Sequence, residues 1–408
     1  MNDCDYSQTK IEHGVPSFMP SKESPTLCVA IMGMGYVGTS VLEACIESNF
    51  SIIGIDINQK RVQQLQSQFS HYRDAFFQAN PEGLHTADVV FICVPTPIEE
   101  GNGHRLVEAC AHQFAAYGNP DALVILESTV RPGFVHHLQS LLGHDGQVAL
   151  AYAPERIDPQ PNGKQRTCSS IPRLLGGIDE KAQVRAQEIF VRMGIKAHTF
   201  SLEVIEIAKL YENTYRLVNI SLSNEMAALC GTEGINFHDV VDAAGTKPFG
   251  FAPFYPGIGA GGHCIPIDPT FIEAFAQSKN IQTPILSSSI QSNLLRPKVV
   301  VEEVFRQTKE DDVILAVGVT YKKGVPDMRE SKSLEAIRIL QSKRYVLTFD
   351  ELVQAPSDIQ QVSLSEGLQR ADVIVIFVDQ SQGIRDRIQS SSKIILDTTG
   401  TIERGVRI

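Results

Sequence analysis

Short apolar runs and stretches of helical spacing alternate along this chain, and their order carries the first information. Residues 27–32 form an apolar run suited to a parallel strand buried on both faces, and residues 39–48 after it show helical spacing. Residues 51–56, 88–94, 122–126 and 148–152 repeat the strand signal. From residue 203 to about 230 the pattern becomes one long helix, and helical segments continue to about 308. A second series then begins, with predicted strands at 312–317, 345–349, 373–378 and 393–396 and a helix near 333–342. Strands alternating with helices predict parallel sheets. The expected fold class is therefore α/β, with two doubly wound parallel sheets joined by a long central helix. The boundaries that follow are a loose tail over 1–26, a first α/β domain over 27–200, a helical domain over 201–308 and a second α/β domain over 309–408.

The first strand leads into Gly33-Met34-Gly35-Tyr36-Val37-Gly38, and the second ends in Asp56. Strand, GxGxxG, helix, strand and an acid about 20 residues on make the Rossmann dinucleotide fingerprint in its full context. The glycines allow a tight turn and let a pyrophosphate reach the helix N-terminus. Asp56 is placed to accept from ribose hydroxyls and to repel a 2′-phosphate, so NAD is expected over NADP. Arg61 fits the adenine side, and on spacing alone a solvated helix arginine fits equally. In an open parallel sheet, ligands sit beyond the carboxyl ends of the strands. Pro95, Thr96, Thr129 and Glu155 all follow strand ends, so they are expected around one crevice. The second α/β unit lacks GxGxxG, but the loop 321–331 after its first strand offers Lys322 and Arg329 to phosphates.

The chemistry concentrates in residues 256–269. Gly257, Gly259, Gly261 and Gly262 stand just ahead of Cys264, with His263 and Asp268 beside it. Backbone without side chains lets a ligand approach closely, and a thiol there can attack a bound carbonyl. A turn holding one buried Cys is the plainer alternative. On the long helix, Lys209, Asn213 and Arg216 share a face by their spacing, either as site residues or as a solvated polar stripe. Composition narrows the choice only at its edges. A net charge of −11 argues against a nucleic-acid or anionic-membrane surface, and no run of about 18 apolar residues suggests a membrane span. Residues 1–26 lack the pattern of a signal peptide. The eight cysteines form no CxxC pair, so neither zinc nor a redox dithiol is expected, and reduced cytoplasmic thiols are the simplest reading.

These residues resemble the nucleotide-sugar 6-dehydrogenase family, the UDP-glucose and UDP-N-acetylhexosamine dehydrogenases. The resemblance spans about residue 27 to the C-terminus. It rests on GMGYVG (33–38), VPTP (94–97), ESTV (127–130), PER (154–156), AKLYENTYRLVN (208–219), GGHCIPIDP (261–269) and YKKGVPDMRES (321–331). It implies an N-terminal NAD-binding domain, a central helix that dimerises, and a C-terminal Rossmann-like domain for a UDP-sugar. TKPFGF (246–251), PFYPG (253–257) and PERIDP (154–159) resemble the UDP-N-acetylglucosamine branch. UDP-glucose, UDP-N-acetylmannosamine and UDP-N-acetylgalactosamine remain alternatives. The chain departs from the family in a short segment between Asp56 and Asp88, in Gly324 where Asp is frequent, in Ile258 and Lys332 where Pro is frequent, and in Thr399 near a frequent Arg.

The activity so implied is oxidation of the sugar C6 alcohol to a carboxylate with two NAD⁺, feeding polysaccharide synthesis. An aldehyde forms first; Cys264 attacks it, a second hydride leaves a thioester, and water hydrolyses that. By the same resemblance Lys209 and Asn213 serve the oxyanion, Asp268 and Thr129 position water and move its proton, and Glu155 is base in hydrolysis. Gly33, Gly35, Tyr36, Val37, Gly38, Asp56, Arg61, Pro95, Thr96, Thr129 and Arg329 are expected at NAD. Glu155, Arg156, Ile157, Lys209, Asn213, Arg216, Tyr255, Gly259, Gly261, Gly262 and Lys322 are expected at the UDP-sugar. Lys209 is further expected to lower the pKa of Cys264. A simple hydroxyacid dehydrogenase or an inactive NAD-binding scaffold are the rival readings. The first would need neither Cys264 nor a second α/β domain.

Overall fold

The computed structural model describes residues 27–97, 103–157 and 170–408; the expected tail lies outside them. The first unit begins with β1 (Cys28–Met32), α1 (Tyr36–Glu47), β2 (Ser51–Ile55), α2 (Gln59–Gln68), β3 (Ala75–Gln78) and β4 (Val89–Ile92). It continues through α3 (Arg105–Tyr117), β5 (Leu123–Leu126), α4 (Phe134–Leu141), β6 (Ala149–Tyr152), β7 (Arg173–Gly177), α5 (Glu180–Arg192) and β8 (Ala197–Thr199). The sheet order is β3-β2-β1-β4-β5-β6-β7-β8. β1 lies inside the sheet, with Ala30 in register with Ile53 on one side and Val90 on the other. Its side chains divide between two cores, Val29 and Ile31 on one face and Ala30 and Met32 on the other. A strand covered on both faces must be apolar throughout, which is why its sequence shows no alternation.

The described strands pair in parallel except at β6 and β7, where Tyr152 faces Gly176 antiparallel. That departs from the wholly parallel expectation. β3, β7 and β8 also escape a reading of apolar runs. β8 has only three residues, two of them exposed, and β7 opens on a charged residue, Arg173.

The long helix α6 runs Leu202–Thr232, 31 residues or ~46 Å, with the Ser201 hydroxyl accepting from Val204 N at its start. Lys209 and Asn213 are buried on one side. The opposite side keeps Val204, Ile207, Tyr211, Tyr215, Leu222 and Leu229 exposed. α7 (Phe237–Gly245), α8 (Asp268–Ser278) and α9 (Pro284–Gln307) complete the helical part, α8 and α9 packing against α6. The last unit contains β9 (Ile314–Val317), α10 (Lys332–Gln341), β10 (Val346–Phe349), α11 (Leu364–Arg370), β11 (Val373–Ile376), α12 (Gln382–Gln389), β12 (Ile394–Asp397) and β13 (Val406–Arg407). Its sheet is parallel, in the order β10-β9-β11-β12-β13. A largely parallel sheet and a parallel sheet joined through a long helix match the expected α/β fold class, apart from the antiparallel β6–β7 pair.

Candidate active site

The glycine loop between β1 and α1 is shaped by what a side chain would strike. A Cβ on Gly38 would lie 2.0 Å from Gly33 O, and one on Gly33, whose φ is +89°, would lie 2.8 Å from Val94 Cγ1. Those two close the turn onto the helix and onto the end of β4. Gly35 differs: nothing lies within 4 Å of its Cβ position, so it faces open space. α1 starts at that opening with no side-chain cap and no acid in its first turn. Its first N–H groups and positive dipole end are thus left for an anion. Asp56 Oδ2 accepts from Met34 N at 2.9 Å, which places the carboxylate beside the loop. Arg61 donates from Nε to Met34 O (2.8 Å) and from Nη2 to Thr39 Oγ1 (2.7 Å), so it braces the loop instead of lying along a solvated helix. An open glycine, an uncapped helix start and a carboxylate at the second strand end fit NAD.

Across the crevice, the loop before α8 is strapped in place by two helices. Asn224 Oδ1 on α6 accepts from Gly257 N at 2.9 Å. On α9, Asn293 bonds Ala260 N (2.7 Å) and Ala260 O (3.0 Å), and Arg296 Nε donates to Gly257 O at 2.8 Å. The second α/β unit closes on the same loop. A Cβ on Gly261 would meet Glu330 O at 2.6 Å, and one on Gly262, with φ +81°, would meet the Tyr321 ring at 2.9 Å. Glycine is required there because the 321–330 loop packs directly on its backbone. Asn224, Asn293 and Arg296 were not singled out in the sequence; the spacing of Asn293 and Arg296 on one face of a helix was their faint signal.

Cys264 ends this strap, and its carbonyl accepts from Asp268 N at 2.9 Å. Asp268, Asn213 and Lys209 are all buried, and Asn213 Nδ2 donates to Asp268 Oδ2 at 2.6 Å. Burial pushes Asp268 up to about 6, with Lys209 and Asn213 opposing. Burial pulls Lys209 down, but Asp268, Cys264, Glu155 and Glu212 together outweigh it, so the ammonium ends above its ordinary value. For Cys264 the balance runs against the expectation. The residue is exposed to solvent, yet enough protein lies around its thiol to disfavour the charged form. That enclosure pushes the thiol up to about 11, Asp268 adds to the push, and Lys209 and Arg216 lower it by less. Lys209 does pull in the expected direction, but the net shift of the thiol is upward.

Thr129 and Glu155 follow β5 and β6, adjacent strands, and Pro95 and Thr96 follow β4 beside them. Glu155 Oε1 accepts from Ile157 N and faces Lys209 and Cys264. Arg156 turns to α6, donating to Glu212 Oε1 (2.5 Å) and Oε2 (3.2 Å) and to Pro172 O (2.9 Å), so its guanidinium is engaged with protein groups. Arg329 makes a forked pair with Asp327 and faces His263. Lys322 is half-buried in the loop that covers Gly261 and Gly262. Tyr255 lies farther along, its hydroxyl donating to Asp242 Oδ1 at 2.6 Å and its ring stacked on His238. Arg216 is exposed on α6 yet close enough to act on Cys264.

A dinucleotide-type glycine loop, together with a buried cluster of Lys209, Asn213 and Asp268 close to Cys264, fits an NAD-dependent oxidoreductase. Family models for the UDP-glucose/GDP-mannose dehydrogenases match three stretches: the NAD binding domain over residues 27–194, the central domain over 203–294 and the UDP binding domain over 315–404. A UDP-N-acetyl-D-mannosamine dehydrogenase of Methanocaldococcus jannaschii is 31% identical, covering 92% of this chain and 93% of its own. An NDP-N-acetyl-D-galactosaminuronic acid dehydrogenase of Ralstonia nicotianae is 28% identical over 91% and 95%. The solved structure of a Pyrococcus horikoshii UDP-D-ManNAc dehydrogenase superposes with a TM-score of 0.81 at 26% identity, covering 93% and 100%. The chain belongs to the UDP-glucose/GDP-mannose dehydrogenase family and is an NAD-dependent nucleotide-sugar dehydrogenase.

Proposed function

We propose that this chain oxidises C6 of a UDP-N-acetylhexosamine to the uronate through a thioester on Cys264. The observation that carries this reading is the buried group of Lys209, Asn213 and Asp268, drawn from two helices to the side of Cys264. The loop at residues 33–38 would hold NAD⁺, and two molecules bound in turn would supply one hydride acceptor for each oxidation. Lys209 stays cationic and, with Asn213, stabilises the alkoxide from which each hydride departs. The Cys264 thiol gives up its proton toward Asp268 as sulfur bonds to the aldehyde carbon, and Lys209 offsets the charge on the resulting oxyanion. Thr129 and Asp268 orient the water that opens the thioester, and Glu155 takes its proton. The domain division 27–200, 201–308 and 309–408, a homodimer and a cytoplasmic setting belong to the same proposal. The exposed apolar stripe of α6 supports the dimer, and no described helix is long and apolar enough to cross a membrane.

Residues 246–251 and 253–257 support UDP-N-acetylglucosamine as the substrate. The names of the M. jannaschii and P. horikoshii relatives favour UDP-N-acetylmannosamine as the second reading. Comparing kcat/KM for UDP-N-acetylglucosamine, UDP-N-acetylmannosamine and UDP-glucose, with NADH counted per sugar, tests both levels. Two NADH per sugar is expected from wild type. Cys264→Ser should bind NAD⁺ normally yet stall at the aldehyde with little carboxylate. Full conversion by Cys264→Ser at near wild-type rate would remove the covalent route.

A further inference from the structure

Arg173 opens β7, the strand that lies antiparallel beside β6, and its guanidinium sits behind the ends of β5 and β6. Its side chain is 1% exposed. Two carboxylates share it: Glu127 Oε2 at 2.9 Å, itself 0% exposed, and Glu155 Oε1 at 3.9 Å, 12% exposed. The same Nη1 donates to Pro154 O at 3.3 Å and so fixes the segment that carries Glu155. A charge pair this deep pays a large desolvation cost, and apolar residues of like volume often serve stability as well. Its significance lies in what it faces, and it faces Glu155.

We propose that Arg173 is a positioning residue for thioester hydrolysis: clamped by Glu127, it holds the Glu155 carboxylate on the Cys264 side of the site. This rests on the role given to Glu155 above. Glu127 anchors the guanidinium from the other side, and burial pushes its carboxyl up to about 7 with Arg173 opposing. The other charged groups facing Glu155 are Lys209 from α6 and Cys264 from the loop before α8, with Asp268 and Glu212 acting on Lys209 alongside it. Glu127 and Arg173 thus form a buried support behind the base.

The test measures kcat and both KM values from pH 6 to 8.5, melting temperature, and Cys264 acylation by intact mass. It uses Glu127→Gln, the double variant Glu127→Gln/Arg173→Gln, and Glu155→Gln in parallel, with the better of UDP-N-acetylglucosamine and UDP-N-acetylmannosamine as substrate. Glutamine cannot neutralise Arg173. In Glu127→Gln kcat should therefore fall at least about threefold across this range, with both KM values near wild type and acylated Cys264 accumulating. The double variant removes the whole support and should lose kcat at least about tenfold with the same split. An unchanged kcat, or a loss without acylated Cys264, overturns the role of Arg173; if Glu127→Gln does not fold, the double variant decides alone. Glu155→Gln that clears the thioester at the wild-type rate sinks the reading of Glu155 and this inference with it. Stalling in Glu155→Gln beside unmoved profiles in the other two sinks only this inference.

Discussion

Cys264 answers two opposed demands. In the proposed reaction it must be open enough to meet an aldehyde, yet the protein around it and Asp268 push its thiol up to about 11. In the ligand-free enzyme its alkylation by iodoacetamide should be slow at pH 7 and rise about tenfold per pH unit into the alkaline range. Intact mass against time at several pH values checks this, and a plateau reached below pH 8 would contradict it. The same cluster makes a prediction for Asp268. It leads the charged groups that raise Lys209, so Asp268→Asn should let the ammonium fall toward neutrality. The expected result is a kcat loss of ~10²-fold or more with NAD⁺ affinity nearly unchanged, read by steady-state kinetics and by titration calorimetry.

Among the elements, the junction between α4 and α6 is built by one carboxylate. Glu206 on α6 accepts from Gly133 N at 2.6 Å and Val135 N at 3.0 Å, taking the place of a side-chain cap that α4 lacks. The loop just before α4 carries Thr129, and Lys209 lies less than one turn along α6 from Glu206, so this cap also fixes two site residues relative to each other. Replacing Glu206 with Ala leaves the buried Val135 N and the exposed Gly133 N without this partner. It should cost about 1–3 kcal/mol in chemical denaturation, a larger loss than an exposed α6 acid such as Glu203 would give on the same change. The glycine loop offers a contrast of the same kind. Gly38→Ala should disturb the fold, because its Cβ would strike Gly33 O. Gly35→Ala meets open space and should fold normally while binding NAD⁺ at least about tenfold more weakly.

For the whole molecule, the face of α6 turned away from Lys209 is the unfinished surface. Val204, Ile207, Tyr211, Tyr215, Leu222 and Leu229 run along it, and Tyr211 is 63% exposed. An apolar stripe of that length is the basis of the proposed dimer. Sedimentation at micromolar concentration should show a dimer, and Tyr211→Glu should shift it toward monomer. An active wild-type monomer under those conditions would rule out this assembly.

The sequence by itself determined the parts whose signals are local. Strands covered on both faces need unbroken apolar runs, so β1, β4 and β5 could be read directly, as could the 31-residue α6. The glycine loop with Asp56 and the glycines around Cys264 were legible because backbone approach leaves a composition trace. Short, half-exposed β8 and the charged start of β7 left no such trace. Only the tertiary structure decided that Asn213 meets Asp268 across 55 residues, that Glu206 caps a helix 71 residues away, and that Arg173 lies between Glu127 and Glu155. It also decided which way the pKa of Cys264 moves. A sequence shows that a lysine and a thiol exist, but the direction of a pKa is set by how much protein encloses the sulfur and by which charges reach it, and both are sums over atoms from elements far apart in the chain.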